Sequence, residues 1–73
     1  MSGEYNVQLT WDDEAAVWIA TSDEIEGFVL EADSVDQLIK RTVKAVPELL
    51  DLNGQERRGG LHFSFDLHER ISF

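Results

Sequence analysis

The sequence predicts an α+β fold of order βββαβ, a four-stranded sheet with one helix packed on one face. Three patterns carry this expectation. Residues 5–11 alternate, with Tyr5, Val7, Leu9 and Trp11 on one side and Asn6, Gln8 and Thr10 on the other, the two-residue period of a half-buried strand. Leu61, Phe63, Phe65 and Leu67 alternate in the same way against His62, Ser64, Asp66 and His68. Between these stretches, Val35, Leu38, Ile39, Thr42, Val43 and Val46 recur at three- and four-residue intervals, the apolar stripe of a helix.

The remaining elements follow in order. Asp12-Asp13-Glu14-Ala15 is polar and short enough to turn the chain. Ala16 to Thr21 reads as a second strand, with β-branched and aromatic residues at Val17, Trp18, Ile19 and Thr21. A third short strand, Phe28 to Glu31 or Ala32, follows a loop ending in Gly27, and the three strands form an antiparallel meander. Ser34 opens the helix: its hydroxyl accepts from the backbone near Gln37, and Gln37 reaches back in the reciprocal arrangement of a capping box. Lys40, Arg41 and Lys44 fall off the stripe and face water. Pro47 lacks a backbone donor and clashes with the preceding turn, so a kink or restart is expected there, with Leu49, Leu50 and Leu52 carrying the apolar face onward. Asn53-Gly54 is the stop signal, and the loop to Gly60 contains Arg57-Arg58-Gly59-Gly60.

At 73 residues the chain reads as a single domain, 1–73. A chain of this size buries only about 60% of the surface its unfolded form exposes. Without cysteine, self-association is the remaining reinforcement for so thin a core. Met1-Ser2-Gly3-Glu4 lacks the basic start and apolar stretch of a signal peptide, and no apolar run reaches the ~20 residues of a membrane span, so a cytoplasmic protein with no membrane contact is expected.

The net charge of -9 is unevenly placed. Residues 1–39 hold ten acids (Glu4, Asp12, Asp13, Glu14, Asp23, Glu24, Glu26, Glu31, Asp33, Asp36) and no Lys or Arg, giving -10. Residues 40–73 hold the other five acids and all six bases, giving +1. A surface of one sign speeds encounters with oppositely charged partners, so this one repels nucleic acid and suits a basic protein.

The middle strands break the clean alternation. Val17 and Ile19 point one way and Trp18 the other, while Phe28 and Leu30 lie opposite Val29. An apolar strip drawn from Val17, Trp18, Ile19 and Val29 is therefore expected to stay uncovered by the helix, and such strips mark interfaces. A homodimer is the expectation.

Chemistry finds little purchase. His62 and His68 stand six residues apart on one strand, roughly 20 Å from each other, too far to share an ion. Asp12-Asp13-Glu14 lacks the alternating ligands and central glycine of a calcium loop, so no metal site is expected. Acids at loop mouths stay ionised, whereas acid–base catalysis needs one carboxyl buried enough to keep its proton. Ser64 beside His62 has no orienting acid in a pocket, and Gly59-Gly60 has neither a following helix nor a lysine. Neither enzyme activity nor a cofactor is expected.

The stretch YNVQLTWDDEAAVWIATSDEIEGFVLEADSVDQLIKRTVKAVPELLDLNG, residues 5–54, resembles the HicB-like antitoxin superfamily, most closely its compact branch of unknown function. The matching features are the aromatic-led first strand, the Trp11-Asp12 turn into Val17-Trp18-Ile19-Ala20, a Ser-Asp…Gly segment, Glu31-Ala32-Asp33-Ser34 before the helix, and Pro47-Glu48-Leu49-Leu50. The resemblance implies a partial ribonuclease-H-like sheet without catalytic carboxylates, its last strand beside its first. It also implies a domain that covers a small basic ribonuclease toxin of the HicA type. The family's usual Pro-Asp-Leu-Pro-Gly segment stands here as Ser22-Asp23-Glu24-Ile25-Glu26-Gly27. No C-terminal DNA-binding domain is expected before Phe73, so the family's repressor role is not carried over.

Together these observations favour a non-catalytic, antitoxin-like binding module. Asp12, Asp13, Glu14, Asp23, Glu24 and Glu26 would dock a basic protein partner, and the apolar strip would supply contact area or a dimer interface. The alternative is a small structural or regulatory homodimer with no toxin partner, whose acidity serves solubility.

Overall fold

The computed structural model describes residues 3–65. Expectations for Asp66, Leu67 and His68 lie outside the described residues. Strand β1 spans Tyr5–Asp12, β2 Val17–Thr21, β3 Val29–Ala32 and β4 Leu61–Phe65, with helix α1 at Val35–Asn53 between the last two. The expected βββαβ order is the order observed.

The strands lie side by side as β3-β2-β1-β4. β1 and β2 pair antiparallel from Asp12 opposite Val17 to Gln8 opposite Thr21. β2 and β3 pair antiparallel from Trp18 opposite Ala32 to Thr21 opposite Val29. The helix then carries the chain back along the sheet, so β4 enters parallel to β1, with Tyr5 beside Leu61 and Leu9 beside Phe65.

This register decides which side chains share a face, because residues opposite one another point the same way and neighbours along a strand point oppositely. Leu9, Ala20 and Leu30 form one row toward the helix, and Trp11, Trp18 and Ala32 form the next. Tyr5, Val7, Leu9, Ala20 and Ala32 from the sheet meet Leu38, Val46 and Leu50 from α1 in the buried core. Ile25 and Phe28, from the segment between β2 and β3, complete it. Thr42 is the one polar residue buried among the described residues. Its hydroxyl donates to the Leu38 carbonyl at 2.8 Å, so it brings no unsatisfied group into the core.

The helix differs from expectation in three places. It continues through Pro47 to Asn53 without restarting. The carbonyl that Pro47 deprives of a donor belongs to Val43, four residues back, on the water-facing side where solvent can replace the bond (Val43 is 55% exposed). Val43 therefore lies off the buried stripe, which runs Leu38, Thr42, Val46 and Leu50 at four-residue spacing. Leu52 is also outside it, at 83% exposed.

Both helix ends are capped, but of the expected reciprocal box only the Ser34 half forms among the described residues, with no bond from the Ser34 N–H back to the Gln37 side chain. Ser34, in extended backbone, accepts the Gln37 N–H at 3.2 Å. Gly54 adopts a left-handed conformation (φ 68°) in which its N–H reaches the Asp51 carbonyl and that of Gln55 reaches Leu50. This is a Schellman cap, which a residue with a Cβ enters only under strain. Two strand boundaries shift. Phe28 precedes β3 and does not open it, and Ala16 belongs to the β1–β2 turn, with φ at 55°, not to β2.

Candidate functional site

The face turned away from α1 is formed by Asn6, Gln8 and Thr10 of β1, Val17, Ile19 and Thr21 of β2, Val29 and Glu31 of β3, and His62 and Ser64 of β4. No described element covers it. Its apolar part is Val17, Ile19 and Val29, with Val29 65% exposed. Trp18, grouped with those residues on sequence grounds, points to the helix side, because it stands opposite Trp11 and Ala32. There it packs at 5.5 Å from the Trp11 ring and 5.6 Å, edge-on, from that of Phe65.

The expected acidic residues fall into two groups at opposite ends of β2. Asp12, Asp13 and Glu14 sit at the β1–β2 turn, while Asp23, Glu24 and Glu26 lie in the β2–β3 segment. Five residues of strand separate them, on the order of 15 Å at ~3.4 Å per residue. Among the described residues, no group of three or more His, Asp or Glu comes close enough to hold a metal ion.

Half of the six carboxylates are engaged within the chain. Asp12 Oδ1 accepts the backbone N–H groups of Glu14 (3.1 Å) and Ala15 (3.2 Å), closing the turn. Asp13 Oδ1 accepts the Trp11 indole N–H at 3.3 Å. Glu24 Oε1 accepts the backbone N–H of Asn6 at 2.6 Å and its side-chain amide at 3.2 Å, while Oε2 faces Arg58 Nη1 at 3.5 Å. The Asn6 backbone bond, together with that side-chain amide and the Arg58 charge, lowers the Glu24 pKa below its ordinary value against a smaller opposing effect of desolvation. Glu14, Asp23 and Glu26 are exposed, and among the described residues nothing hydrogen-bonds or ion-pairs with their carboxylates.

The acidic segment is held against the helix end. Gln55 Oε1 accepts from the Glu26 N–H (3.3 Å), and its amide donates to the Glu24 carbonyl (2.9 Å). Asn53 Nδ2 donates to the Glu26 carbonyl at 2.8 Å. The fully buried Ile25 fastens the segment from below. Sequence reasoning missed this anchoring. Its visible signals were one apolar residue inside an acidic run and the Ser22-x-Glu24 spacing, in which Ser22 Oγ accepts the Glu24 N–H at 3.1 Å.

A shallow recess of about 140 Å³ opens beside this segment, lined by Asn6, Gln8, Asp23 and Glu24. A larger recess, about 340 Å³, lies elsewhere, between α1 and the β1–β4 side of the sheet. It is mostly apolar and holds none of the six acids.

Among the described residues, fold and surface define a small α+β module with one sheet face uncovered, apolar in the middle and acidic at both ends. The chain belongs to the family described as Domain of unknown function (DUF1902), whose model matches residues 4–72. It is similar to the crystal structure of a hypothetical protein from the extremely thermophilic bacterium Thermus thermophilus, with 32% identity and a TM-score of 0.77 over 97% of this chain and 100% of that one. No curated protein matches it. Among the described residues, no helix is long and apolar enough to cross a membrane.

Proposed function

We propose that this protein is a non-catalytic, antitoxin-like binding module whose open sheet face docks a basic protein partner in the cytoplasm. The observation that carries the reading is the pairing of an apolar centre that no described element covers, half-buried Val17 and Ile19 with exposed Val29, with the unengaged carboxylates of Glu14, Asp23 and Glu26 at its two ends. An apolar centre with a charged rim is the anatomy of a protein interface. Acids left unpaired on such a rim steer encounter more than they add affinity. The excess of ten negative charges over residues 1–39 disfavours direct contact with nucleic acid. The resemblance of residues 5–54 to HicB-like antitoxins makes a small basic ribonuclease of the HicA type the first candidate partner.

The test is capture from native lysate at low ionic strength, run in parallel on the wild type and on a Glu14→Gln/Asp23→Asn/Glu26→Gln variant. The reading expects a basic protein that the wild type retains and the variant loses. Retention of the same proteins by both forms, or of no basic protein by either, contradicts it.

A further inference from the structure

The two edges of the sheet are unlike. On the β3 edge, Arg41 Nη1 donates to the Glu31 carbonyl at 2.9 Å, and the strand is four residues long with a carboxylate in its middle. The β4 edge, Leu61–Phe65, carries no lysine, proline or formal charge, and among the described residues β1 is its only neighbour. An unprotected apolar edge of this kind presents a row of backbone donors and acceptors that pairs with another strand.

We infer that β4 is the dimer interface and that its partner is the β4 strand of a second copy, paired antiparallel about a two-fold axis at Phe63. The strand is self-complementary in that register. Leu61 meets Phe65 of the other copy, His62 meets Ser64, and Phe63 meets Phe63, so each apolar residue faces an apolar one and no like charges oppose. The two-fold axis is perpendicular to the sheet, so both helices lie on one side. The apolar recess between α1 and the sheet, lined by Val43, Pro47, Leu61 and Phe63, then abuts its counterpart. Phe65, 57% exposed and set against Trp18, gains the cover it lacks in a single copy.

Charge selects this edge over the open face. Leu61–Phe65 brings no formal charge to the axis, whereas stacking two open faces would bring Asp12, Glu31 and their counterparts together. The inference stands apart from the reading of the open face, which stays free in such a dimer.

Two measurements on the full chain decide it. Sedimentation equilibrium on the wild type and a Phe65→Lys variant, with circular dichroism to verify the fold, should show a wild-type dimer and a dissociation constant raised about 30-fold or more in the variant. Because the chain lacks cysteine, His62→Cys and Ser64→Cys chains can also be mixed and oxidised. The mixture should cross-link faster than either chain alone. A wild type that stays monomeric overturns the inference. So does a dimer indifferent to Phe65→Lys with no preference for the mixed cross-link. If Phe65→Lys unfolds the chain, the cross-linking result decides alone.

Discussion

The carboxylate of Glu24 accepts the backbone N–H of Asn6 at 2.6 Å, two residues beyond the last β1–β2 pair, Gln8 with Thr21. A side chain thus continues the ladder where β2 has ended. Its folded-state pKa lies below the ordinary value of 4.5, so its contribution to stability is present above that pH and fades as pH falls through the folded pKa. Glu24→Gln removes this titration. Urea unfolding across the acid range should show wild-type stability falling below about pH 4.5, and a shallower fall in the variant. Equal slopes would mean that the bond contributes nothing.

Ala16 holds a left-handed backbone at φ 55°, a conformation that costs a residue with a Cβ about 1 kcal/mol or more. Ala16→Gly removes that cost at some expense in chain entropy. Thermal unfolding should show a gain of about 0.5–1 kcal/mol, a rise of several degrees in Tm for a domain of this size. A loss of stability would show that the Ala16 methyl makes a contact that outweighs the strain.

Leu9 and Ile19 separate stability from recognition. Leu9 is 1% exposed at the centre of the core, and Leu9→Ala should cost about 2–5 kcal/mol. That is a large part of the ~4–11 kcal/mol available to a chain of this length. Ile19 lies on the open face, and Ile19→Ala should cost less than about 1 kcal/mol while weakening capture of the basic partner. Comparable stability losses in the two variants, seen by denaturant unfolding, would mean that the open face is part of the core.

The fold was legible where one periodicity governed a whole segment. Tyr5–Trp11 alternates without a break in sequence, and Tyr5, Val7 and Leu9 reach the core at every second residue, while Trp11, at 39% exposed, lies outside it. Ser34 and Gly54 mark the helix ends because each solves a local hydrogen-bonding problem that few other residues solve. The effect of Pro47 was misjudged because its cost depends on whether Val43 faces water, which tertiary packing decides. Trp18 was misplaced because β2 is apolar on both sides, and only its register against Trp11 shows which face it joins. The six acids looked equivalent in sequence. Their division into three that build turns or extend the ladder and three left unengaged depends on donors such as Asn6 N–H, brought from another strand.

The central claim, that the open acidic face is an attractor for a basic protein, is tested most directly by stopped-flow association with the captured partner. Rates would be measured from low ionic strength to above ~0.15 M, where the Debye length is about 8 Å. The account predicts a wild-type association rate that falls steeply with salt, and a Glu14→Gln/Asp23→Asn/Glu26→Gln variant that is slower at low salt and nearly flat. Association as fast in the variant as in the wild type, with the same salt dependence, would contradict it.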